Sequence, residues 1–373
     1  MRICRYLLLI FFLSPLSFAG PREQAYRLHN RLTGVPPSTV VLAQMENLIQ
    51  NGQAQAAADI AMQNPRFYDV VIKNWVKDWT NEEQTNRVPL NDYVATVIGI
   101  IRDNRPFDRV LYGDYLYVSS DNNAPAYDNA NNDHYEYLED NRVSLAQTLQ
   151  EVVQSQVTGV ADTAGVITTR ASAKSFFDAG TNRAMTRFTF MNFLCKDFEA
   201  LHDITVPDGY VRRDVDRAPG GDSRQYKNKC VGCHAGQDSL GGAFAYFDWD
   251  GTQITHNVNQ VSPKINANVL FTDGNVVTDD SWLNLWATGQ NSVVGWRGTA
   301  SGTGARSLGR YLARSQAFSQ CMAEKVFKLV CVKEPQSASD IAAVQSYAGE
   351  FEQNDLYNMK NLISKTSTLC LGE

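Results

Sequence analysis

The chain has 373 residues, 43% of them hydrophobic and 20% charged, an ordinary globular composition with enough length for one large domain or two. Its formal net charge of −6 disfavours a general affinity for nucleic acid, whose phosphates repel an acidic surface. Beyond the first residues no stretch approaches the ~20 consecutive apolar residues of a spanning helix, so no membrane span is expected in the mature chain.

The N-terminus reads as an export signal. Arg2 and Arg5 precede an apolar core from Tyr6 to Leu13, and the site Ser17-Phe18-Ala19 predicts cleavage after Ala19. The signal peptide thus spans residues 1–19, and the mature protein, with a formal charge of −8 once Arg2 and Arg5 are gone, is expected in the periplasm or outside the cell. Such compartments are oxidising and favour disulfides. Cys4 leaves with the peptide, Cys230 and Cys233 belong to a motif treated below, and Cys195, Cys321, Cys331 and Cys370 remain for two bridges. Cys321 and Cys331 fall in one predicted helix, about 15 Å apart, well beyond the ~6 Å a disulfide spans. Of the pairings left, Cys331 with Cys370 and Cys195 with Cys321 is preferred.

In chain order, Pro21 to Gly34 predicts a short helix stopped by glycine. Ser38 caps a second, with Val41, Met45, Leu48 and Ile49 on its apolar face and Asn51-Gly52 as its stop. Residues 54–63 predict a third helix, rich in alanine. Pro65 opens a fourth, whose Phe67, Val70, Val71, Trp75 and Trp79 recur at helical spacing and are expected in the core. Another helix is predicted from Leu90 to Arg102. Asp or Asn fills eight of the thirteen positions 121–133, so a long surface loop is expected between Ser119 and Asn141, without the EF-hand pattern calcium would need. His29 and His134 read as surface residues. Residues 144–157 read as helix, and 20–165 as an N-terminal helical region carrying the Asp/Asn-rich loop.

The second region, 166–373, begins with irregular chain and an apolar segment from Met185 to Ala200, then loosens towards residue 230. There Arg212, Arg213, Arg217, Arg224, Lys227 and Lys229 outnumber Asp214, Asp216 and Asp222. In an acidic protein this excess serves to pair the carboxylates of a bound group or steer an acidic partner, or is a solvated loop of mixed charge. Short strands are predicted over 243–249 and 268–277, around turns at Asp250-Gly251 and Asp273-Gly274. Gly298 to Arg306 is glycine-rich but lacks the Gly-Lys-Ser/Thr ending of a phosphate loop, so no nucleotide site is read there. A long helix from Ser307 to Val330 and two more over 337–351 and 354–366 form a helical tail.

The strongest chemical signal is Cys230-Val231-Gly232-Cys233-His234. Covalent attachment of a c-type haem needs this arrangement: the thiols add to the porphyrin vinyl groups and the next imidazole is held beneath the iron. By composition the pattern is expected about 0.002 times in such a chain, so chance does not account for it. A zinc site would need two more ligands at knuckle spacing, which the remaining cysteines do not offer. A thioredoxin-type dithiol would need a strand before the motif and a helix starting at its first cysteine, whereas polar Asn228-Lys229 precedes it and glycine-rich chain follows. Haem attachment accounts for His234 and the export signal together.

The run from Cys230 to Gly251 resembles the haem-binding segment of the planctomycete-type cytochrome c domain proteins, whose pattern is CxxCHAxxDPxGxAFExFDxxG. Cys230, Cys233, His234, Ala235, Asp238, Gly241, Ala243, Phe247, Asp248 and Gly251 fall in step, with Ser239 in place of proline and Ala245 in place of glutamate. Arg31-Leu32-Thr33-Gly34 with Pro36, Arg102 to Phe107, Leu194-Cys195 and Leu312-Ala313 through Phe318 to Cys321 are similar to further segments of that family. The resemblance implies an exported haem c protein of electron-transfer type and no particular substrate. The expected fold is mainly α, a helical array with a haem-bearing C-terminal half containing short β-strands and long loops.

Function then turns on the sixth ligand, because a second strong ligand suits electron transfer while an open position admits a small molecule. Met322 is the preferred distal ligand and His256, 22 residues beyond His234, the alternative, from a set that also holds Met359, Met185, Met191 and His202. The leading expectation is a monohaem cytochrome with one covalent haem c, anchored by Cys230 and Cys233 over His234, exchanging electrons with redox partner proteins. The alternatives are a peroxidase-like, haem-dependent oxidoreductase with an open distal position and an exported interaction module whose haem is structural. Nothing of the HExxH or G-x-S-x-G kind points to hydrolysis.

Overall fold

The computed structural model describes residues 19–372, and the predicted signal up to Phe18 lies outside the described residues. Three helices open the described chain: α1 (Pro21–Thr33), α2 (Thr39–Gln50) and α3 (Ala54–Met62). Gly34 ends α1 in the left-handed conformation, φ 72°, and Ser38 Oγ accepts from Val41 N–H to start α2. The Pro65 segment winds irregularly through a π-turn (Phe67–Ile72), α4 (Lys73–Val76) and a 3-10 turn (Lys77–Thr80), and Trp75 meets Trp79 edge to face at 5.2 Å. Next, α5 (Asp92–Arg102) is the central helix, buried on every side from Asp92 to Ile101. The buried carboxyl group of Asp92 accepts from the N–H groups of Arg170 and Ala171 at 2.7 and 3.0 Å, which satisfies its oxygens there although burial pushes its pKa up.

The Asp/Asn-rich stretch is less of a loop than its composition predicts. It follows β1 (Leu116–Ser119), and its last part forms α6 (Asp133–Asp140). His134 is buried, not on the surface: Nδ1–H donates to Pro125 O at 2.6 Å and Nε2 accepts from Ser119 N–H at 2.9 Å. His29 is buried too, donating from Nδ1 to Val35 O at 2.8 Å. Bonds to both ring nitrogens of His134 and to Nδ1 of His29 let the two rings sit inside, and backbone acceptors of this kind leave no trace in side-chain patterns. Residues 144–157, expected as one helix, divide into α7 (Leu145–Thr148), β2 (Leu149–Val152) and α8 (Gln154–Thr158), because β2 pairs antiparallel with β1, Leu116 opposite Val152.

α9 (Arg170–Phe176) and α10 (Arg183–Phe193) lead to the motif. The chain expected to be loose before Cys230 is irregular over 201–222 apart from a 3-10 turn (Pro219–Gly221), but residues 223–229 and the glycine-rich chain after His234 form one helical run: α11 (Ser223–Gln225), a π-turn (Tyr226–Cys230) and α12 (Val231–Leu240), capped at its start by Asp222. The hairpin of β3 (Phe247–Trp249) and β4 (Ile254–His256) turns at Asp250-Gly251 as predicted. No strand forms over 268–277. There the Asn266 carboxamide bonds both the N–H and the C=O of Val277, at 3.1 and 2.8 Å, and takes the place of a neighbouring strand. β5 (Ser281–Leu283) pairs with β6 (Ser301–Thr303), which runs into α13 (Gly304–Ala313). The helix predicted over 307–330 breaks at Arg314-Ser315, where Ser315 Oγ accepts from Phe318 N–H at 3.3 Å and starts α14 (Gln316–Cys331). α15 (Ala338–Gln353) and α16 (Met359–Ser367) follow.

Both preferred disulfides are present, Cys195–Cys321 and Cys331–Cys370, and Cys321 and Cys331 share α14. The chain ends meet: Arg31 Nη1 donates to Cys370 O at 2.7 Å, and Gln55 Nε2 to Ser364 Oγ at 3.2 Å. One buried apolar cluster runs from Ala25 to Cys370, on both sides of residue 165. The described chain is helix-rich with short antiparallel strand pairs, and no helix in it is long and apolar enough to cross a membrane.

Candidate functional site

The motif is helical throughout, with Cys230 closing the π-turn and Val231 opening α12. Residues three and four apart share a helix face, so Cys230, Cys233 and His234 line one side of this turn, each partly exposed. The opposite side carries Gly232 and Gly236. A Cβ at Gly232 would come within 2.6 Å of the His202 ring, and one at Gly236 within 2.1 Å of the buried Trp286 indole. On the flank between, Val231 and Ala235 pack with Val211, Val215 and Tyr226. The helix is therefore sunk on the sides without chemistry and open on the side that bears it. Gly236→Ala is expected to cost about 1–3 kcal/mol by overpacking against Trp286, read as a lower urea midpoint at unchanged slope.

Among the described residues, Cys230 and Cys233 are the cysteines outside disulfides. Burial, reinforced by the Glu199 and Asp197 carboxylates, pushes the Cys233 thiol up. A dithiol redox site needs the opposite, a thiolate favoured by a helix N-terminus, and here the helical run begins at Ser223, two turns earlier. No group of three or more His, Cys, Asp and Glu among the described residues is placed to hold a metal ion, as a structural zinc site requires.

Behind His234 lies a buried charge network. Its side chain keeps 27% exposure, but Nδ1 points inward, without a hydrogen-bond partner, 3.6 Å from Oδ2 of Asp238 one turn on. Asp238 is fully buried. Arg183 Nε and Nη2 donate to its two oxygens at 2.6 and 2.9 Å, and the Arg212 N–H adds a bond at 3.0 Å. Arg183 also clamps Asp214 through Nη1 and Nη2 at 2.6 and 2.8 Å. Burial alone would push the Asp238 carboxyl up, but the Arg183 hydrogen bonds and the charges of Arg183 and Arg212 win and hold it far below the usual carboxylate range. It is a fixed anion behind the imidazole.

Half of the basic run is spent internally, and Arg224 pairs with Asp222 at the surface. Arg212 is buried and donates to Thr181 O at 2.7 Å, Arg213 donates to Asn266 O at 2.7 Å, and Arg217 bonds the Val215 and Val211 carbonyls beneath the Tyr226 and Phe271 rings. Lys227 and Lys229 remain exposed beside Cys230. The later residues of the run from Cys230 to Gly251 are architectural. Ala243 and Phe247 are core, Asp248 pairs with Lys264 at 2.7 Å, and Gly251, φ 99°, makes the hairpin turn in which Asp250 accepts from Thr252 and Gln253 N–H.

Of the residues considered as distal ligands, His202 lies against Gly232, on the side of α12 away from His234, and the two leading ones are engaged in packing of their own. Met322 is fully buried on α14, beside Cys321 of the disulfide, in the layer formed with α10, α15 and α16. The His256 ring lies 4.4 Å from that of Phe247, with both nitrogens buried and unpartnered, and burial pushes its pKa down. Arg183 and Trp286, which seat and polarise the motif helix, were not among the residues singled out by sequence. Asp238 was visible there as one position of the Cys230–Gly251 pattern, with nothing to show that it stands behind His234. Compared with known proteins, the chain matches no family model, no curated protein and no solved structure.

Proposed function

We propose that the chain is an exported monohaem c-type cytochrome, of the kind its haem segment resembles, carrying electrons through one haem c bound at Cys230 and Cys233 with His234 as proximal ligand. The observation that carries this reading is the shared, partly open face of Cys230, Cys233 and His234, on a helix whose other sides are buried. The residues fit the group: the two thiols are unpaired, the imidazole stands beside them, and its inner nitrogen faces a carboxylate, leaving Nε2 for iron. A haem held there would supply a one-electron iron couple. The chain supplies the anchors, the orientation of the imidazole, and Lys227 and Lys229 as a positive rim for an acidic face on a redox partner protein.

Exported together with a c-type maturation system, the protein should carry one haem per chain that stays with the polypeptide in denaturant. Cys230→Ser combined with Cys233→Ser should release it. Haem that separates from the wild-type chain on denaturation would refute the reading. A second reading, an oxidoreductase with an open distal position, is favoured by the engagement of Met322 in the α14 core and of His256 against Phe247. Rapid stoichiometric carbon monoxide binding to the reduced protein at neutral pH would select it, and a protein that resists carbon monoxide would select the carrier.

A further inference from the structure

We infer that Asp238 is the positioning residue of this site: it accepts the Nδ1–H of His234, fixes the tautomer that presents Nε2 to the iron, and lowers the reduction potential. This rests on the haem reading above. The His234 Nδ1 is inaccessible and has no partner, and a buried nitrogen of this kind requires one. Asp238 Oδ2, 3.6 Å away, is longer than a hydrogen bond but within reach of a small rotation of the ring.

The carboxylate is built to stay charged and still. Its side chain has no exposure, its two oxygens are held by separate Arg183 nitrogens, and Arg212 adds a backbone donor and a buried cation nearby. Each carboxylate oxygen has two acceptor positions: Oδ2 fills both with Arg183 Nη2 and the Arg212 N–H, while Oδ1 takes Arg183 Nε and keeps one, so Nδ1–H enters as a third, shared donor on Oδ2 or takes the open position on Oδ1. Neutral histidine donates from one ring nitrogen and accepts or ligates with the other, so an acceptor at Nδ1 selects Nε2 as the ligand. A fixed anion on the far side of the imidazole makes the ring a stronger electron donor. That favours the ferric state, so the potential falls.

The test compares the holoprotein with Asp238→Asn and Asp214→Asn. Asparagine keeps the shape at 238 and removes the charge. Asp214 sits on the same Arg183 guanidinium and serves as the control for a charge acting through space alone. The expected result is a rise in potential in Asp238→Asn equal to a tenfold or greater change in the ferric to ferrous ratio, about 59 mV for one electron, and less than a third of that in Asp214→Asn. Equal shifts in the two variants, or none in Asp238→Asn, overturn the inference while the haem reading stands. Lack of covalent haem in the wild type overturns both. Should Asp238→Asn not assemble, proton spectra of the reduced, diamagnetic wild type read the same bond: a His234 Nδ1–H shifted downfield supports it, and one at the position of an unbonded imidazole N–H overturns it.

Discussion

Arg183→Met is expected to cost about 3–5 kcal/mol at neutral pH, because it leaves two buried carboxylates without their cation. The Asp238 and Asp214 side chains keep 0% and 9% exposure and Arg183 18%, so this is not a surface pair, for which ~1 kcal/mol would be the ceiling. Arg212, with Nε and Nη2 unpartnered, remains near Asp238 and holds the loss towards the lower end of the range. The effect depends on pH with a defined sign. Asp238 is held far below its unfolded value, which is about 3.9, so its contribution is present in full above that value and lost progressively as the pH falls towards the lower folded value. Urea midpoints of the wild type and Arg183→Met should therefore differ most near pH 7 and draw together below about pH 4. A gap of constant size from pH 7 to pH 3 would show that the network does not hold Asp238 ionised.

The parts of this protein legible in the sequence are those whose chemistry is local along the chain. Cys230, Cys233 and His234 need only helical spacing to share a face. Gly34 and Ser38 mark helix ends through bonds within four residues of themselves. The reach of one helix narrows the disulfides: α14 keeps Cys321 and Cys331 apart, which leaves two of the three pairings. What stayed hidden depends on partners brought in by folding. His29 and His134 are buried because carbonyls of Val35 and Pro125 accept their protons, and no side-chain pattern encodes that. Ser315 looks like any polar helix position until it caps α14 and splits the predicted helix. Residues 223–229, just before Cys230, became helix, and Arg212 and Arg213 turned inward onto the carbonyls of Thr181 and Asn266, distant in sequence. The clamp on Asp238 comes from Arg183 on α10, a contact that neither spacing nor composition discloses.

Removal of the Cys195–Cys321 disulfide by paired substitution to alanine is expected to cost about 5 kcal/mol, and removal of Cys331–Cys370 about 4 kcal/mol. The bridges close loops of 126 and 39 residues, and loop-closure entropy grows with the logarithm of that length, so the longer loop carries about 1 kcal/mol more. Urea unfolding of the two paired variants gives the order directly, and a costlier loss of Cys331–Cys370 would contradict it. Both partners have to be replaced, since a lone Cys321 would be a third thiol competing with Cys230 and Cys233. The position of the first bridge gives it a further consequence. Cys195 follows α10, the helix whose start carries Arg183, and Cys321 lies in α14, which packs on α10, so the disulfide ties the Arg183 clamp to the helical core. A domain of typical stability, about 5–15 kcal/mol, would spend an appreciable time unfolded after a loss of this size. On the haem reading proposed above, Cys230 and Cys233 would then be exposed to oxidation before haem reaches them. The yield of covalent haem in the exported Cys195→Ala, Cys321→Ala protein should accordingly fall together with its stability, and recover when the maturation system is supplied in excess.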